Sequence, residues 1–333
     1  MTVLITGGNG FVGKHLQRAL KNRKINYISP TSSQFNLLSP LSAVEMVFST
    51  EPTAIIHLAG NCGGIGYNQN NSLHLWRDNL LMGINLLDAI AEYASTVKKK
   101  PKIILVGTIC SYQKTPETIP FIENEFWNGY PEETNAPYGI AKKTLLVGLQ
   151  EYSKVYKLPF LYLIPTNMLG EGDDFSVKKS HVVPALIKKV LQAPHNATID
   201  IWGTGIATRD FLYVTDFARI IGKLLDPKLE KVFDGRILNV GTGKETSIRE
   251  LCHLIVEMTK RHDIKLKFNP AKTEGQPRRV VDNSALLKII PTFNFSPLKY
   301  AISRTINWYL KQQAKPLAST KSGNLVTASL AGK

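Results

Sequence analysis

Short apolar runs alternate with longer stretches in which apolar side chains recur every three or four positions, and this alternation fills the first half of the chain. Thr2–Thr6, Asn26–Ser29, Ala54–Ala59, Ile103–Gly107 and Phe160–Pro165 are short, apolar and closed by turn residues, the pattern of strands. Gly10–Arg23, Leu41–Phe48, Asn79–Tyr93 and Tyr138–Tyr156 carry the helical period. Strand and helix in alternation predict an α/β fold with a doubly wound parallel sheet and ligands at the carboxyl ends of its strands.

The texture changes after Pro165. Gly170-Glu171-Gly172-Asp173-Asp174 reads as a loop, His181–Ala193 as a helix and Thr198–Trp202 as a strand. Ile237–Val240 is a late strand able to return to the main sheet. Ser247–Lys260 reads as a helix, with Ser247 as N-cap and Glu250 three residues on to complete a capping box. The chain is therefore expected to divide into a main domain over residues 1–165, with return segments near 211–245, and a smaller C-terminal substrate lobe over 166–312 that is interleaved with it. Residues 314–333 are small and polar and are expected to be disordered. No internal repeat is present.

The loop after the first strand brings chemistry into this frame. Gly7-Gly8-Asn9-Gly10-Phe11-Val12-Gly13 follows the strand at once and opens a helix. Glycine gives a tight turn, lets a pyrophosphate approach the backbone, and allows the helix to pack on the strand. The helix N-terminus adds free N–H groups and the positive end of its dipole. This strand–loop–helix context predicts a Rossmann-type dinucleotide site. An acidic residue closing the second strand would hold the ribose hydroxyls of NAD. The chain has Ser29-Pro30-Thr31-Ser32-Ser33-Gln34 there, with Lys14 nearby on the first helix. Hydroxyls without a carboxylate favour NADP, with NAD as the alternative.

Composition bounds the class. Of 333 residues, 43% are apolar and 20% charged, enough apolar material for a sizeable core. No uninterrupted apolar stretch approaches the ~18 residues of a membrane span, and the start of the chain lacks a signal-peptide pattern. Cys62, Cys110 and Cys252 are odd in number, widely spaced and without a C-x-x-C metal pattern. A cytoplasmic protein without metal or membrane is expected. The net charge of +15 is scattered, with runs only as short as Lys98-Lys99-Lys100. It reads as a solvated basic surface, not a nucleic-acid site, with a few cations to spare for a diphosphate.

Tyr138-Gly139-Ile140-Ala141-Lys142 places a phenol and an ammonium four residues apart on one helix face. A lysine beside a tyrosine favours the phenolate and is expected to lower its pKa. The same lysine can hold a nicotinamide ribose. Thr108, just past the fourth strand, is placed to meet a substrate carbonyl or, alternatively, to stabilise its turn.

With these segments in view, the chain resembles the extended short-chain dehydrogenase/reductases, the sugar-nucleotide epimerases and dehydratases. The likeness runs from Thr2 to about Tyr309. It rests on Thr6–Gly13, His57-Leu58-Ala59-Gly60, Pro137–Lys142 and Asn239-Val240-Gly241-Thr242-Gly243. A narrower likeness points to the GDP-L-fucose synthases, which 3,5-epimerise and 4-reduce GDP-4-keto-6-deoxy-mannose. It rests on Gly63-Gly64-Ile65, Gly107–Tyr112, Pro165-Thr166-Asn167, Ser180–Leu186, Trp202–Gly205 and Arg209–Val214.

The resemblance implies roles. Thr108, Tyr138 and Lys142 would form the reductase triad, with Tyr138 protonating the C4 oxygen. Cys110 and His181 would be base and acid for inversion at C3 and C5, since a 4-keto group acidifies both neighbouring positions. Gly7, Gly10, Phe11, Val12, Gly13, Ser32, Leu58, Ala59, Gly60, Pro165 and Asn167 would contact the cofactor together with Tyr138 and Lys142. Asn167, Val182, Lys189, Trp202, Arg209 and Arg278 would contact the GDP-linked substrate, the cations suiting its diphosphate. A homodimer through Asn79–Tyr93 and Tyr138–Tyr156 is implied. Plainer roles stand beside these: Cys110 as an inert thiol, His181 as a helix cap, Lys189 as a surface residue, and Arg209 paired with Asp210 or Asp216. Departures from the likeness are Thr108 where serine is usual, Asn9 for arginine, Gln113 for proline, and Glu171-Gly172 in place of the usual loop. They leave open a modified GDP-keto-sugar or a heptose as substrate, with cofactor recycled in place.

Overall fold

The computed structural model describes residues 1–272 and 274–314. The expected disorder of the C-terminal tail falls, beyond Ala314, outside the described residues. The first half runs β1 (Thr2–Thr6), α1 (Phe11–Asn22), β2 (Asn26–Ile28), α2 (Pro40–Thr50), β3 (Ala54–His57) and α3 (Ile65–Asn70). It continues through α4 (Ser72–Val97), β4 (Lys102–Val106), α5 (Ala136–Tyr156) and β5 (Phe160–Pro165). Next come β6 (Asn167–Leu169), α6 (Val182–Gln192), β7 (Thr198–Trp202), β8 (Thr208–Arg209), β9 (Phe211–Tyr213), α7 (Val214–Leu224) and β10 (Asp234–Val240). The chain ends with β11 (Thr246–Ser247), α8 (Ile248–Thr259), β12 (Lys265–Asn269), β13 (Arg278–Arg279), α9 (Ser284–Ile289) and α10 (Leu298–Gln313).

Six parallel strands form the main sheet in the order β10-β5-β4-β3-β1-β2. Every residue of β3 and β5 is buried, which is why these segments read as continuous apolar runs. Helices α1 and α7 cover one face, packed over Val3, Ile5, Leu16, Phe217 and Ile221. Helices α2, α4 and α5 cover the other, over Leu4, Ile55, Leu86, Ile90 and Leu145. The strand order reverses between β1 and β3, so the crevice at their carboxyl ends is a switch point where a ligand is held. The late strand Ile237–Val240 does return to this sheet, as the end of β10 beside β5.

A third apolar cluster gathers α6, α8, α10 and β7 around Ile187, Ile201, Leu251, Ile255 and Ile306. The capping box of α8 is present: the Ser247 hydroxyl accepts from Glu250 N at 3.1 Å, and the Glu250 carboxylate accepts from Ser247 N at 2.7 Å. Helix α4 begins at Ser72, earlier than the expected Asn79. It is long and apolar enough to cross a bilayer by composition, yet half of its most apolar window is buried inside the protein.

Candidate active site

The first wall of the site is the β1–α1 loop. Gly7 has φ of +70°, and a Cβ there would lie 2.6 Å from Ala59 N, so the loop lies directly on the chain leaving β3. A Cβ on Gly13 would meet Gly8 Cα at 2.3 Å, so only glycine lets α1 start against its own loop. The α1 N-cap, Gly10, makes no side-chain cap, and the first turn carries no acid. The N–H groups beside Phe11 and Val12 are thus left for an anion. Thr6 Oγ1 meets Nδ1 of the fully buried His57 at 2.8 Å and joins the ends of β1 and β3. Past β2, Ser32 is exposed in a turn closed by Thr31, Ser33 and Gln34, with no carboxylate among them. Leu58, Ala59 and Gly60 leave β3 above this loop, and Pro165 and Asn167 leave β5 further along the same sheet edge. These residues fit a dinucleotide, and the turn after β2 fits one bearing a 2′-phosphate.

The second wall is the junction of a short turn with α5. Thr108 caps the 3₁₀ turn Ile109–Ser111, its hydroxyl accepting from Cys110 N at 3.2 Å. Thr108 therefore does stabilise its turn, while its hydroxyl proton stays free to be donated. The turn sits on α5: Ser111 Oγ donates to the Gly139 carbonyl at 2.8 Å, and a Cβ on Gly139 would stand 2.4 Å from the Cys110 carbonyl oxygen. This seating places Cys110 beside Tyr138, with Thr108 at the head of the same turn. One turn further, the buried Lys142 has its Nζ 6.0 Å from the Tyr138 ring centre and close under Gly60.

The electrostatics correct one expectation. Tyr138 is not lowered: burial pushes it well above the ordinary phenol range, and Cys62, Cys110 and Tyr162 push the same way. Burial brings Lys142 down to about 8. Desolvation is the largest influence on both groups, on the buried Lys142 and on the partly exposed Tyr138 alike. Tyr138 is thereby kept protonated, the state a proton donor needs.

The third wall is the segment before α6. A Cβ on Gly64 would stand 2.3 Å from the Ser180 carbonyl oxygen, and Gly64 N donates to the Lys179 carbonyl at 3.0 Å. The loop after β3 and the start of α6 are therefore pressed together. His181 occupies the N-cap of α6 but makes no side-chain cap, so the plain capping role is absent and its ring is free. Cys62 and His181 both touch solvent, yet desolvation is the largest influence on each, raising the Cys62 thiol and lowering His181.

The predicted substrate residues separate. Val182 opens α6 beside His181, and Trp202 is half exposed at the end of β7. Lys189 is exposed, its Nζ donating to the Asp200 carbonyl at 3.2 Å. Asn167 spends its amide on the Asp210 carbonyl at 3.1 Å. Arg209 is buried and pairs with neither Asp210 nor Asp216; it donates to the carbonyls of Thr208, Gln276 and Glu274. Arg278 is held away in an exposed bidentate pair with Glu245 at 2.9 and 2.6 Å. Strand β13 pairs with β8 so that Arg279 lies beside Arg209 and Arg278 beside Thr208. Side chains alternate along a strand, so the arginine that faces inward is Arg279. Its Nη1 donates to Cys110 Sγ at 3.6 Å. Sequence reasoning missed Arg279 and Cys62. Two adjacent arginines carry no signal for which one faces in until the register is known.

A model of the NAD dependent epimerase/dehydratase family matches residues 3–241, from within β1 to just past the end of β10. The chain belongs to this family. Members similar to it include the GDP-L-fucose synthase of Dictyostelium discoideum, 32% identical over 93% of this chain and 95% of that protein. The GDP-L-colitose synthase of Yersinia pseudotuberculosis is 31% identical over 94% and 99%. Among family structures, the crystal structure of a GDP-L-fucose synthetase from Naegleria fowleri bound to NADP superposes with a TM-score of 0.81 at 27% identity, covering 94% and 93% of the two chains.

Proposed function

We propose that this protein is an NADP-dependent 3,5-epimerase and 4-reductase of a GDP-4-keto-6-deoxy-mannose-type sugar. The observation that carries the reading is the seating of the Thr108–Ser111 turn on α5, which brings the turn bearing a hydroxyl and a thiol onto the helix bearing the phenol and the ammonium. The uncapped ring of His181, at the start of α6, supports its reading as the acid of the same site. The named relatives that make GDP-L-fucose and GDP-L-colitose support a GDP-linked keto-sugar, and the NADP-bound neighbour supports the cofactor.

In this reading the 4-keto group polarises the C–H bonds at C3 and C5. Cys110 as thiolate takes the proton, the C–H electrons move onto the C4 oxygen, and His181 returns a proton to the opposite face. Bound NADPH supplies the hydride that C4 receives. Tyr138 gives its proton to the C4 oxygen, Thr108 donates a hydrogen bond to the same oxygen, and Lys142 holds the ribose and sustains the positive field. The division into a cofactor domain over 1–165 and an interleaved substrate lobe over 166–312 follows the same split of roles. Exposed apolar side chains on α4 and α5, Trp76, Ile84, Val147 and Val155, support a homodimer through these helices, and three unpaired cysteines support a cytoplasmic setting.

Incubation with NADPH and GDP-4-keto-6-deoxy-mannose should oxidise one NADPH per product, with a lower Michaelis constant for NADPH than for NADH. Absence of oxidation would refute the reading. The Glu171-Gly172 and Gln113 departures favour a second reading, a modified GDP-keto-sugar. A panel of such sugars, scored by NADPH consumption, separates the two.

A further inference from the structure

We infer that Arg279 is a positioning residue that holds Cys110 as the thiolate needed for C3 and C5 inversion. This rests on the proposed role of Cys110 as base and extends it to the group that makes the base possible.

Arg279 is only 7% exposed, and among the described residues no carboxylate lies within ion-pair distance of it. A buried guanidinium without a counter-anion is costly. Its side-chain contacts are Gln276 Oε1, which accepts from Nε at 3.1 Å, and the Cys110 sulfur, which accepts from Nη1 at 3.6 Å. The sulfur is thus the one partner able to carry the missing negative charge. Arg209 stands beside Arg279 in the strand register and adds a second cation. Burial and the Arg279 charge push Arg209 down to about 9, so two guanidiniums compete for the same scarce anion. The acids that reach Arg209 electrostatically, Glu132 and Glu274, are engaged elsewhere. Glu132 accepts from Asn135 and Thr134, and Glu274 accepts from Thr204.

The arrangement is also braced. Gln276 is buried and donates to the carbonyls of Gln113 and Lys114, at 3.2 and 2.9 Å, just past the turn that carries Cys110. One glutamine therefore fixes the guanidinium and the segment leaving the thiol in a single frame. Tyr138 and Cys62 also face Cys110, and both are uncharged when protonated, so the cationic side is set by the two arginines.

The test is the rate of Cys110 alkylation by iodoacetamide at pH 7, read peptide by peptide by mass spectrometry. Only the thiolate reacts. Arg279→Gln should slow Cys110 about tenfold or more, and Arg279→Lys, which keeps the charge, should restore most of the rate. Cys62 and the buried Cys252 serve as internal controls. An unchanged Cys110 rate in a folded Arg279→Gln overturns the inference. Should that variant not fold, thiolate absorbance near 240 nm in the intact protein decides. It should exceed that of Cys110→Ala at pH 7, and equal absorbance overturns the inference. The base role is read separately: Cys110→Ser that still exchanges deuterium at C3 and C5 removes that role, whatever Arg279 does to the thiol.

Discussion

Gly139 is the point where the turn bearing Thr108 and Cys110 touches the helix bearing Tyr138 and Lys142. In Gly139→Ala the new carbon would stand 2.4 Å from the Cys110 carbonyl oxygen, 3.0 Å from its carbon and 3.3 Å from Ser111 Cα. Ordinary contact begins near 3.4 Å, so turn and helix must separate by about 1 Å. All three atoms are backbone, so no side-chain rotation relieves the clash. The shift would weaken the Ser111–Gly139 hydrogen bond and move Thr108 and Cys110 against Tyr138 and Lys142, the groups proposed to carry the chemistry. A misplacement of this size costs about 10²-fold in rate, and the overpacking costs about 1–3 kcal/mol, or about 1–4 °C in Tm for a chain of this length. The assay is kcat for NADPH oxidation beside a thermal melt and NADPH titration. The glycine loop lies on another element, so NADPH affinity should fall far less than kcat, by no more than the share of binding that Lys142 contributes. A variant with near-normal kcat would refute the claim that this seating positions the chemistry.

Tyr138→Phe should lower kcat about 10²–10⁴-fold while NADPH binding stays nearly intact, as measured by fluorescence titration. Lys142 carries a buried charge, with its pKa reduced from 10.5 to about 8, so folding disfavours its protonated form below that pH. Without cofactor, Lys142→Met should melt above the parent protein at pH 7, by a margin on the order of 3 kcal/mol. The folded state binds fewer protons than the unfolded one between pH 8 and 10.5, so the parent gains stability there and the gap should close as pH rises. A gap independent of pH would contradict the burial of that charge. Asp210 is fully buried and accepts from Thr242 N, Thr242 Oγ1 and Gly243 N at 3.0, 2.6 and 3.0 Å. Asp210→Ala should cost about 2 kcal/mol or more in urea unfolding, with Asp210→Asn milder.

The central strands were legible because they are buried on both faces: all six residues of β5 are apolar or proline and all are buried. The α8 capping box was legible because its partners are three residues apart. Strand β12 was not seen. Lys265-Leu266-Lys267-Phe268-Asn269 alternates polar and apolar residues, the signal of a half-buried strand, but it is short and pairs only with β7, outside the main sheet. The early start of α4 was hidden because its first turns expose Leu73 and Trp76 and bury only Leu75. At the site, motif spacing brought out Tyr138 and Lys142 but not the balance between desolvation and attraction, which depends on depth in the fold. The inward position of Arg279 was hidden for the same reason. A two-residue strand shows no periodicity, and only its pairing with β8 decides which guanidinium faces the thiol.

The central claim is that inversion and reduction share one cleft but use different side chains. Tyr138→Phe incubated with GDP-4-keto-6-deoxy-mannose and NADPH in D₂O tests it most directly, with deuterium at C3 and C5 followed by NMR. The account predicts label at both carbons with almost no NADPH consumed. Reduction at the parent rate, or loss of label together with reduction, would contradict it.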